Sequence, residues 1–268
     1  MIITEQARER AAPDGLCACL TGLCFADADE ALTALDCVAE ALLRAHDARA
    51  AFPDIYAVVT RRVACEAARP DGPFLEPTWI SGLAGRFCAR YLETLRWSLT
   101  GCPQDASAWA SAYLADGAAP LPPVQHALLG LSAHINHDLA IVIHATIVER
   151  GDAEDRAQIA RYKHDHDCVN ALLDASIPEA IDRLIRRHRC ATTRWLDRAG
   201  RLTRWCTMEI LTRWRAHVWV EVEALLAART LGQRARVLRR ISARAARIGA
   251  LLRRPLAPRP RVGAPALR

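Results

Sequence analysis

Apolar residues recur at intervals of three and four along most of the chain, and alternating runs flanked by Asn-Gly or Asp-Gly turns are missing. This periodicity is typical of amphipathic α-helices, whose buried face carries residues three and four apart. The sequence therefore predicts an all-α fold, a single multi-helix, bundle-like domain. The predicted helices cover residues 27–48, 53–69, 77–100, 104–115, 122–150, 155–175, 177–199, 203–228 and 230–252.

The breaks between these helices have local causes. Proline cannot continue a helix, and it separates predicted helices at Pro70, at Pro103 and in the run 119–123. Gly151 follows the helix at 122–150, where glycine adopts a left-handed cap with little strain. We predict three regions: a weakly ordered N-terminal segment at 1–26, a helical domain at 27–228, and an Arg-rich helix with a Pro-rich, partly disordered tail at 229–268.

Composition bounds the class of protein. The chain has 268 residues, 51% of them hydrophobic, which is enough to bury a core without a disulfide or a metal. No stretch approaches the roughly 18 uninterrupted apolar residues of a membrane span, so we expect none. Residues 1–6 lack the basic and apolar stretches of a secretory signal, and we expect a cytoplasmic protein. Reduced core cysteines then follow, among them Cys17, Cys37, Cys65, Cys88, Cys168 and Cys206.

Positive charge concentrates at the C-terminal end of a chain whose formal net charge is +6. From Arg229 onward there are twelve arginines and no acidic residue. Such a tail can contact nucleic acid or another anionic surface. We favour a solvated arginine face instead, because no aromatic residue interleaves these arginines to stack on bases.

The helix predicted at 122–150 is strongly apolar, yet it contains the run His-Ile-Asn-His-Asp at 134–138. Residues three and four apart are neighbours on a helix surface. One stripe of this helix therefore carries His134, His137, Asp138 and His144. Imidazole and carboxylate groups together bind zinc, iron or manganese, or transfer protons near neutral pH. The alternative is a hydrogen-bonded polar core that joins helices and performs no chemistry.

The next predicted helix, at 155–175, contributes further polar groups. A short loop would fold it back antiparallel to the helix before it. Lys163 and Asp165 can belong to a solvent-facing turn. Asp167 and Asn170 alternate with apolar residues on a face that we expect to be buried.

Residues 125–139 read Gln-His-Ala-Leu-Leu-Gly-Leu-Ser-Ala-His-Ile-Asn-His-Asp-Leu, which closely resembles the Q-F-A-L-x-G-M-N-A-H-I-N-H-D-L-P signature of the DUF5995 family. Shorter elements are similar too: F-x-x-x-Y-x-x-V-T at residues 52–60, F-x-x-x-Y at Phe87 and Tyr91, D-x-V-N at residues 167–170, and R-x-x-x-W at Arg215 and Trp219. The resemblance covers roughly residues 35 to 228.

The chain departs from this family's pattern at two positions. Ser132 and Ala140 stand where the family usually has Asn and Pro, so a hydrogen bond or the local helix geometry can differ. No reaction comes with the resemblance. By position it implies a site formed by Gln125, His134, Asn136, Asp138, Asp167, Asn170 and Arg215.

A weaker similarity suggests a chemistry. His134, Asp138 and His144 repeat the H-x3-D-x5-H spacing of helical zinc-dependent phospholipase C and P1-type nucleases. His217 and Glu221 are similar to the H-x3-E element of those enzymes, although we favour an ordinary surface salt bridge for this pair. The N-terminal Trp ligand and the G-D and Q-P-x-H context of that family are missing. In such enzymes a metal-bound water becomes nucleophilic near pH 7.

Three functional hypotheses follow, and the first is a metal-dependent, hydrolase-like enzyme acting on a small molecule. Its zinc, iron or manganese ligands would be His134, Asp138 and either His144 or His164. Its catalytic residues would be His137 or Asp167 as general base, with Arg215 steadying an anionic substrate. Its substrate contacts would be Gln125, Asn136 and Asn170.

The other two hypotheses need no metal. One is a non-catalytic helical binding protein with a buried polar network and a basic partner surface. The other is a metal-free cyclase or isomerase pocket, which predicts an apolar cavity beside His134 and Asp138 without convergent metal ligands.

Overall fold

The protein is all-α, as the periodicity predicts. A computed structural model describes residues 16, 20, 23–100, 108–109, 121–189 and 194–254, with residue 100 and residues 194–203 described by their backbone alone. No strand occurs in these ranges. The helices are α1 (Ala28–Arg44), α2 (Ala51–Ala68), α3 (Pro77–Thr100), α4 (Pro123–Ala133, a π-helical segment His134–Asp138, and Leu139–Arg150), α5 (Arg156–Arg186), α6 (Arg194–Ala227) and α7 (Leu231–Leu252). A short 3-10 turn, Ala48–Ala50, precedes α2.

Several helix ends are fixed by side chains that satisfy free backbone groups. Asp27 accepts hydrogen bonds from the first turn of α1, and Asp155 does the same for α5. Thr230 and Gln233 form a reciprocal capping box at the start of α7. Gly151 ends α4 with a φ of 81°, which confirms the predicted left-handed cap.

The predicted break near residue 176 is wrong. Instead of two helices at 155–175 and 177–199, α5 continues through Pro178 to Arg186, and α6 begins at Arg194. A proline inside a helix removes one hydrogen bond, but Ile177 and Leu184 remain buried on either side of it, so packing outweighs that loss. The predicted helix at 104–115 lies outside the described residues except for 108–109. Most of the weakly ordered segment predicted at 1–26, and residues 255–268 of the predicted tail, lie outside them too.

The described core consists mainly of two apolar clusters that meet at α4. One packs α1, α2 and the middle of α3 together and includes Leu35, Phe52 and Tyr91. The other packs the start of α3 against the second half of α4, α5, α6 and α7. Ala133 belongs to the first cluster and Ile135 to the second. The His-Ile-Asn-His-Asp run therefore lies at the junction of the two clusters.

The arginine-rich helix α7 packs on the body of the protein. Its Val237, Ile241 and Ala245 are buried, and the Gln125 side chain of α4 donates hydrogen bonds to the backbone oxygens of Leu252 and Arg254. Within the ranges described, no helix combines the length and the apolar character needed to span a bilayer.

The prediction of reduced core cysteines is partly wrong. Cys88 is buried and free, but Cys65 and Cys206 are free and exposed. Cys37 is disulfide-bonded. Cys37 is exposed on α1, and apolar neighbours in sequence do not fix which helix face a residue occupies.

Candidate functional site

The run 134–138 forms a π-helical turn within α4. The backbone N–H of Leu139 donates to the carbonyl of His134, five residues earlier, and all five residues of the turn are buried. A π turn accommodates one extra residue, so the positions after it are rotated relative to an unbroken α-helix. Such turns occur frequently at functional sites.

His134 sits in a cage of aromatic rings. Its ring stacks on Phe87 with centroids 3.3 Å apart and 14° between the planes, and the ring centroids of Tyr56 and Phe52 lie 4.4 and 5.4 Å away. Neither Nδ1 nor Nε2 has a hydrogen-bond partner. Burial lowers the pKa of His134 to about 3, against a smaller opposing effect of Asp138. The ring is therefore neutral at physiological pH.

Two helices supply this cage through residues one turn apart. Phe52 and Tyr56 lie on α2, and Phe87 and Tyr91 lie on α3, with Tyr91 edge-on to Phe52 at 4.9 Å. Gly130 of α4 brings the helices close enough, since a Cβ there would fall 2.5 Å from the Phe52 Cγ. The F-x-x-x-Y elements of the sequence thus place four rings against or near one imidazole.

A cavity of about 100 Å³ opens beside this cage, and its walls are almost entirely aliphatic and aromatic. The polar side chains among its lining residues are Tyr56, Thr60, His134, His166 and Arg215, and none of the lining residues is acidic. The Tyr56 hydroxyl is buried without a partner, and burial raises its pKa well above the usual value, so it remains a neutral phenol. A buried polar atom without a partner is rare in a folded protein and calls for a ligand, a water or a functional reason.

His166 and Arg215 form the second polar group of the cavity. The His166 Nδ1 lies 3.1 Å from an Asp167 oxygen, whereas its Nε2 has no partner. Because a carboxylate only accepts, Nδ1 carries the proton and Nε2 is left as an acceptor. Burial, followed by the charge of Arg215, lowers the pKa of His166 to about 4. Arg215 donates through Nε to the Asn170 Oδ1 at 2.7 Å and through Nη2 to the His166 carbonyl.

Asp138 is the centre of a separate buried network. Its Oδ2 accepts from the Trp109 indole at 2.8 Å, and its Oδ1 lies 2.9 Å from the His137 Nδ1 and 3.6 Å from the Arg90 Nε. Burial alone would raise the pKa of Asp138, but the hydrogen bond and charge of His137, with Arg90, outweigh it and hold the pKa below the usual range. The His137 Nε2 in turn lies 3.3 Å from the Ser242 hydroxyl of α7.

The structure does not bring the four predicted metal ligands together. His134 stacks on an aromatic ring, and the Asp138 carboxylate accepts a hydrogen bond from Trp109. His144 is half-buried, and burial followed by the charge of Arg234 lowers its pKa. His164 lies beside Asp165 on α5. In the described part of the chain, no group of three or more His, Cys, Asp or Glu side chains is placed to hold a metal ion. For His144 the π turn accounts for the difference, because it rotates the residues that follow it relative to an uninterrupted α-helix.

The predicted substrate contacts are divided. Asn170 accepts a hydrogen bond from the cavity residue Arg215. The other two form hydrogen bonds elsewhere: Gln125 donates to the end of α7, and Asn136 bonds to Ser132 and Arg244.

The expected exposure of the two aspartates of α5 is reversed. Asp165, expected at the surface, is fully buried and accepts from the backbone N–H groups of Leu75 and Glu76 at 2.6 and 2.7 Å. The side chain of Asp167, expected to be buried, is 45% exposed and pairs with Lys163. Asp167, predicted as a possible general base, instead accepts a hydrogen bond from the His166 ring and does not itself line the cavity.

Two cavity residues, Tyr56 and His166, were absent from the predicted site. Tyr56 carried a signal, because it belongs to the F-x-x-x-Y-x-x-V-T element. His166 carried no comparable signal, because it is one of several polar residues in the run 161–167. His217 and Glu221, the other candidate pair, lie 3.1 Å apart, and the Glu221 carboxylate also forms an ion pair with Arg240.

Comparison with known proteins gives one match. A family model described as "Family of unknown function (DUF5995)" matches residues 28–255, which extends past the motif-based estimate into α7. Neither the curated proteins nor the solved structures contain a significant match.

Proposed function

Because the chain belongs to the DUF5995 family, whose description names no activity, we propose a function from the site alone: a metal-independent enzyme of isomerase or cyclase type. In this proposal the cavity binds a small organic molecule and a proton is moved on it. One observation carries the proposal. Three buried side chains, Tyr56, His134 and His166, line a mostly apolar cavity, and each carries a polar atom that has no hydrogen-bond partner among the described residues.

The three groups have complementary roles. The neutral His134 ring and the neutral Tyr56 phenol donate hydrogen bonds to a ligand oxygen and stabilise the negative charge that develops on it. The His166 Nε2 accepts the proton from carbon, because Asp167 holds the proton of this ring on Nδ1. The bound molecule loses a C–H proton to Nε2 and regains one at another carbon, so no oxidant or reductant is required.

The metal-dependent alternative is less well supported by the geometry, since its ligands lie in different environments. Elemental analysis of protein purified without an affinity tag separates the two. We expect substoichiometric zinc, iron and manganese. Near-stoichiometric metal that is lost on His134→Ala would favour the metal-dependent hydrolase.

The catalytic step is tested with 2-butanone as the probe in deuterium oxide. Proton NMR follows exchange at the carbons next to the carbonyl. We expect the wild-type protein to exceed the buffer rate, His166→Gln to return the rate to that of buffer, and Tyr56→Phe to lower it by about tenfold or more. A wild-type exchange rate equal to that of buffer would contradict catalysis. If the protein binds 2-butanone without exchanging its protons, the non-catalytic binding protein becomes the better hypothesis.

A second candidate function is favoured by Asp138, His137 and Ser242. Their hydrogen bonds run from carboxylate to imidazole to hydroxyl, the order found in serine hydrolases. Ser242 does not line the cavity described above, so this would be a separate site. A fluorophosphonate probe tests it: labelling that is lost in Ser242→Ala supports a nucleophile, and an unlabelled wild-type protein rules it out.

A further inference from the structure

Arg215 is a buried cation without an anionic partner in the described chain. It is 6% exposed, and its hydrogen bonds go to two neutral oxygens, on Asn170 and on the His166 backbone. Burial lowers the pKa of Arg215 to about 10, so the guanidinium stays charged at neutral pH. An isolated charge in an apolar interior is expensive, and proteins normally pair it.

The charge of Asp167 acts on Arg215, but the two side chains form no ion pair. Asp167 pairs instead with Lys163 at 2.5 Å and with His166 at 3.1 Å, and its side chain is 45% exposed. The residues that line the cavity include Arg215 as their one cation and no acid. Its Nη1 donates no hydrogen bond to a described residue. The cavity is thus lined by one positive charge that forms no ion pair with a described residue.

We infer that the natural ligand of this cavity is a small organic acid, with one carboxylate bound to Arg215 and an apolar body among the aliphatic and aromatic walls. This inference rests on the proposed function and specifies its substrate class. A cavity of about 100 Å³ admits only a small molecule. One guanidinium matches one negative charge, whereas a phosphate monoester carries roughly −1.5 to −2 and would be left partly uncompensated.

An anion at Arg215 would also assist His166. The charge of Arg215 is one cause of the low pKa of His166, so neutralising it by a ligand carboxylate makes Nε2 a better proton acceptor. Substrate binding and activation of the base are then linked through the same guanidinium.

Calorimetry with three matched probes tests the charge. Sodium butanoate, 1-butanol and butyl phosphate share an alkyl chain and differ in their head groups. We expect the wild-type protein to bind butanoate about tenfold or more tightly than 1-butanol, the difference expected of hydrogen bonds to a charged group. Butyl phosphate should bind more weakly than butanoate.

The variant Arg215→Gln removes the charge and keeps an amide donor for Asn170. We expect its preference for butanoate over 1-butanol to fall to about one, with the fold confirmed by circular dichroism. Arg161→Gln removes one exposed positive charge and should retain the wild-type preference. If Arg215→Gln does not fold, the relative affinities of the three probes for the wild-type protein still test whether the ligand is a carboxylate.

The possible outcomes separate this inference from the proposed function. Binding of 1-butanol as tightly as butanoate would overturn the anionic ligand and leave the pocket standing. Tighter binding of butyl phosphate would overturn the carboxylate. Binding of none of the three probes would overturn both the pocket and its ligand.

Discussion

The imidazole of His134 stacks face to face on the ring of Phe87, with 3.3 Å between centroids, and keeps both of its nitrogens free of hydrogen bonds. A buried histidine is normally bonded through at least one nitrogen. Here aromatic packing fixes the ring's orientation in place of hydrogen bonds. No hydrogen bond within the described chain therefore has to break before these nitrogens bond to another molecule.

Stability should fall as the pH drops from 7.5 to 5. His134 and His166 have folded-state pKa values of about 3 and about 4, below the value of roughly 6.5 in an unfolded chain. Between these values the unfolded chain binds protons that the folded chain does not. Their contribution is nearly full at pH 7.5 and is lost as the pH falls through 6.5, by about 4 kcal/mol in total at pH 5. Urea unfolding at each pH measures it.

The variant His134→Phe should flatten this pH dependence by roughly half, because one of the two titrating groups is gone. His46 is exposed, and His46→Asn, which retains a residue tolerant of its positive φ of 54°, should leave the pH dependence unchanged. An unchanged slope in His134→Phe would show that this ring is not held neutral.

Asp138→Asn should destabilise the protein by about 3 kcal/mol or more. The buried carboxylate accepts from Trp109 and His137 and balances Arg90, and removing its charge leaves these groups poorly paired. Asp167→Asn weakens a half-exposed pair with Lys163 and leaves an amide oxygen that can still accept from the His166 Nδ1, so it should cost less than about 1 kcal/mol. The free energy of unfolding in urea measures both, and equal losses would contradict the distinction.

Gly130→Ala should destabilise the protein by about 1–3 kcal/mol, because the added Cβ collides with Phe52 and pushes it from the cage. Gly232, in the exposed first turn of α7, has open space around it. Gly232→Ala should be neutral or stabilise by up to about 1 kcal/mol, as helix propensity predicts. Thermal unfolding of both variants checks the contrast, and a neutral Gly130→Ala would show that the helices are not in close contact there.

The sequence predicted the helices well because their signal is local. Apolar spacing and breaking residues identified most of the described elements, including the left-handed end of α4 at Gly151. Pro178 was misleading, because a long buried face on both sides of it holds α5 together. Tertiary packing decided against the local rule in that case.

The site was harder to predict because it depends on which face each residue occupies. Asp165 and Asp167 are two positions apart and therefore about 200° apart around the helix. A wrong choice of the buried face thus swaps which of the two is predicted to be buried and which exposed. The π turn removed His144 from the expected stripe. The aromatic cage joins α2, α3 and α4 from distant parts of the chain, and no spacing rule connects them.

The central claim is that the cavity beside His134 binds a small organic molecule, and methyl NMR tests it directly. On adding butanoate or 2-butanone, we expect saturable shifts at the lining methyl groups of Val63, Leu83 and Leu139, and none at Leu35 in the other cluster. Ala84→Leu, which fills the cavity, should abolish these shifts, whereas Ala89→Leu on the same helix should keep them. Shifts that are absent, or spread equally over both clusters, would contradict the claim.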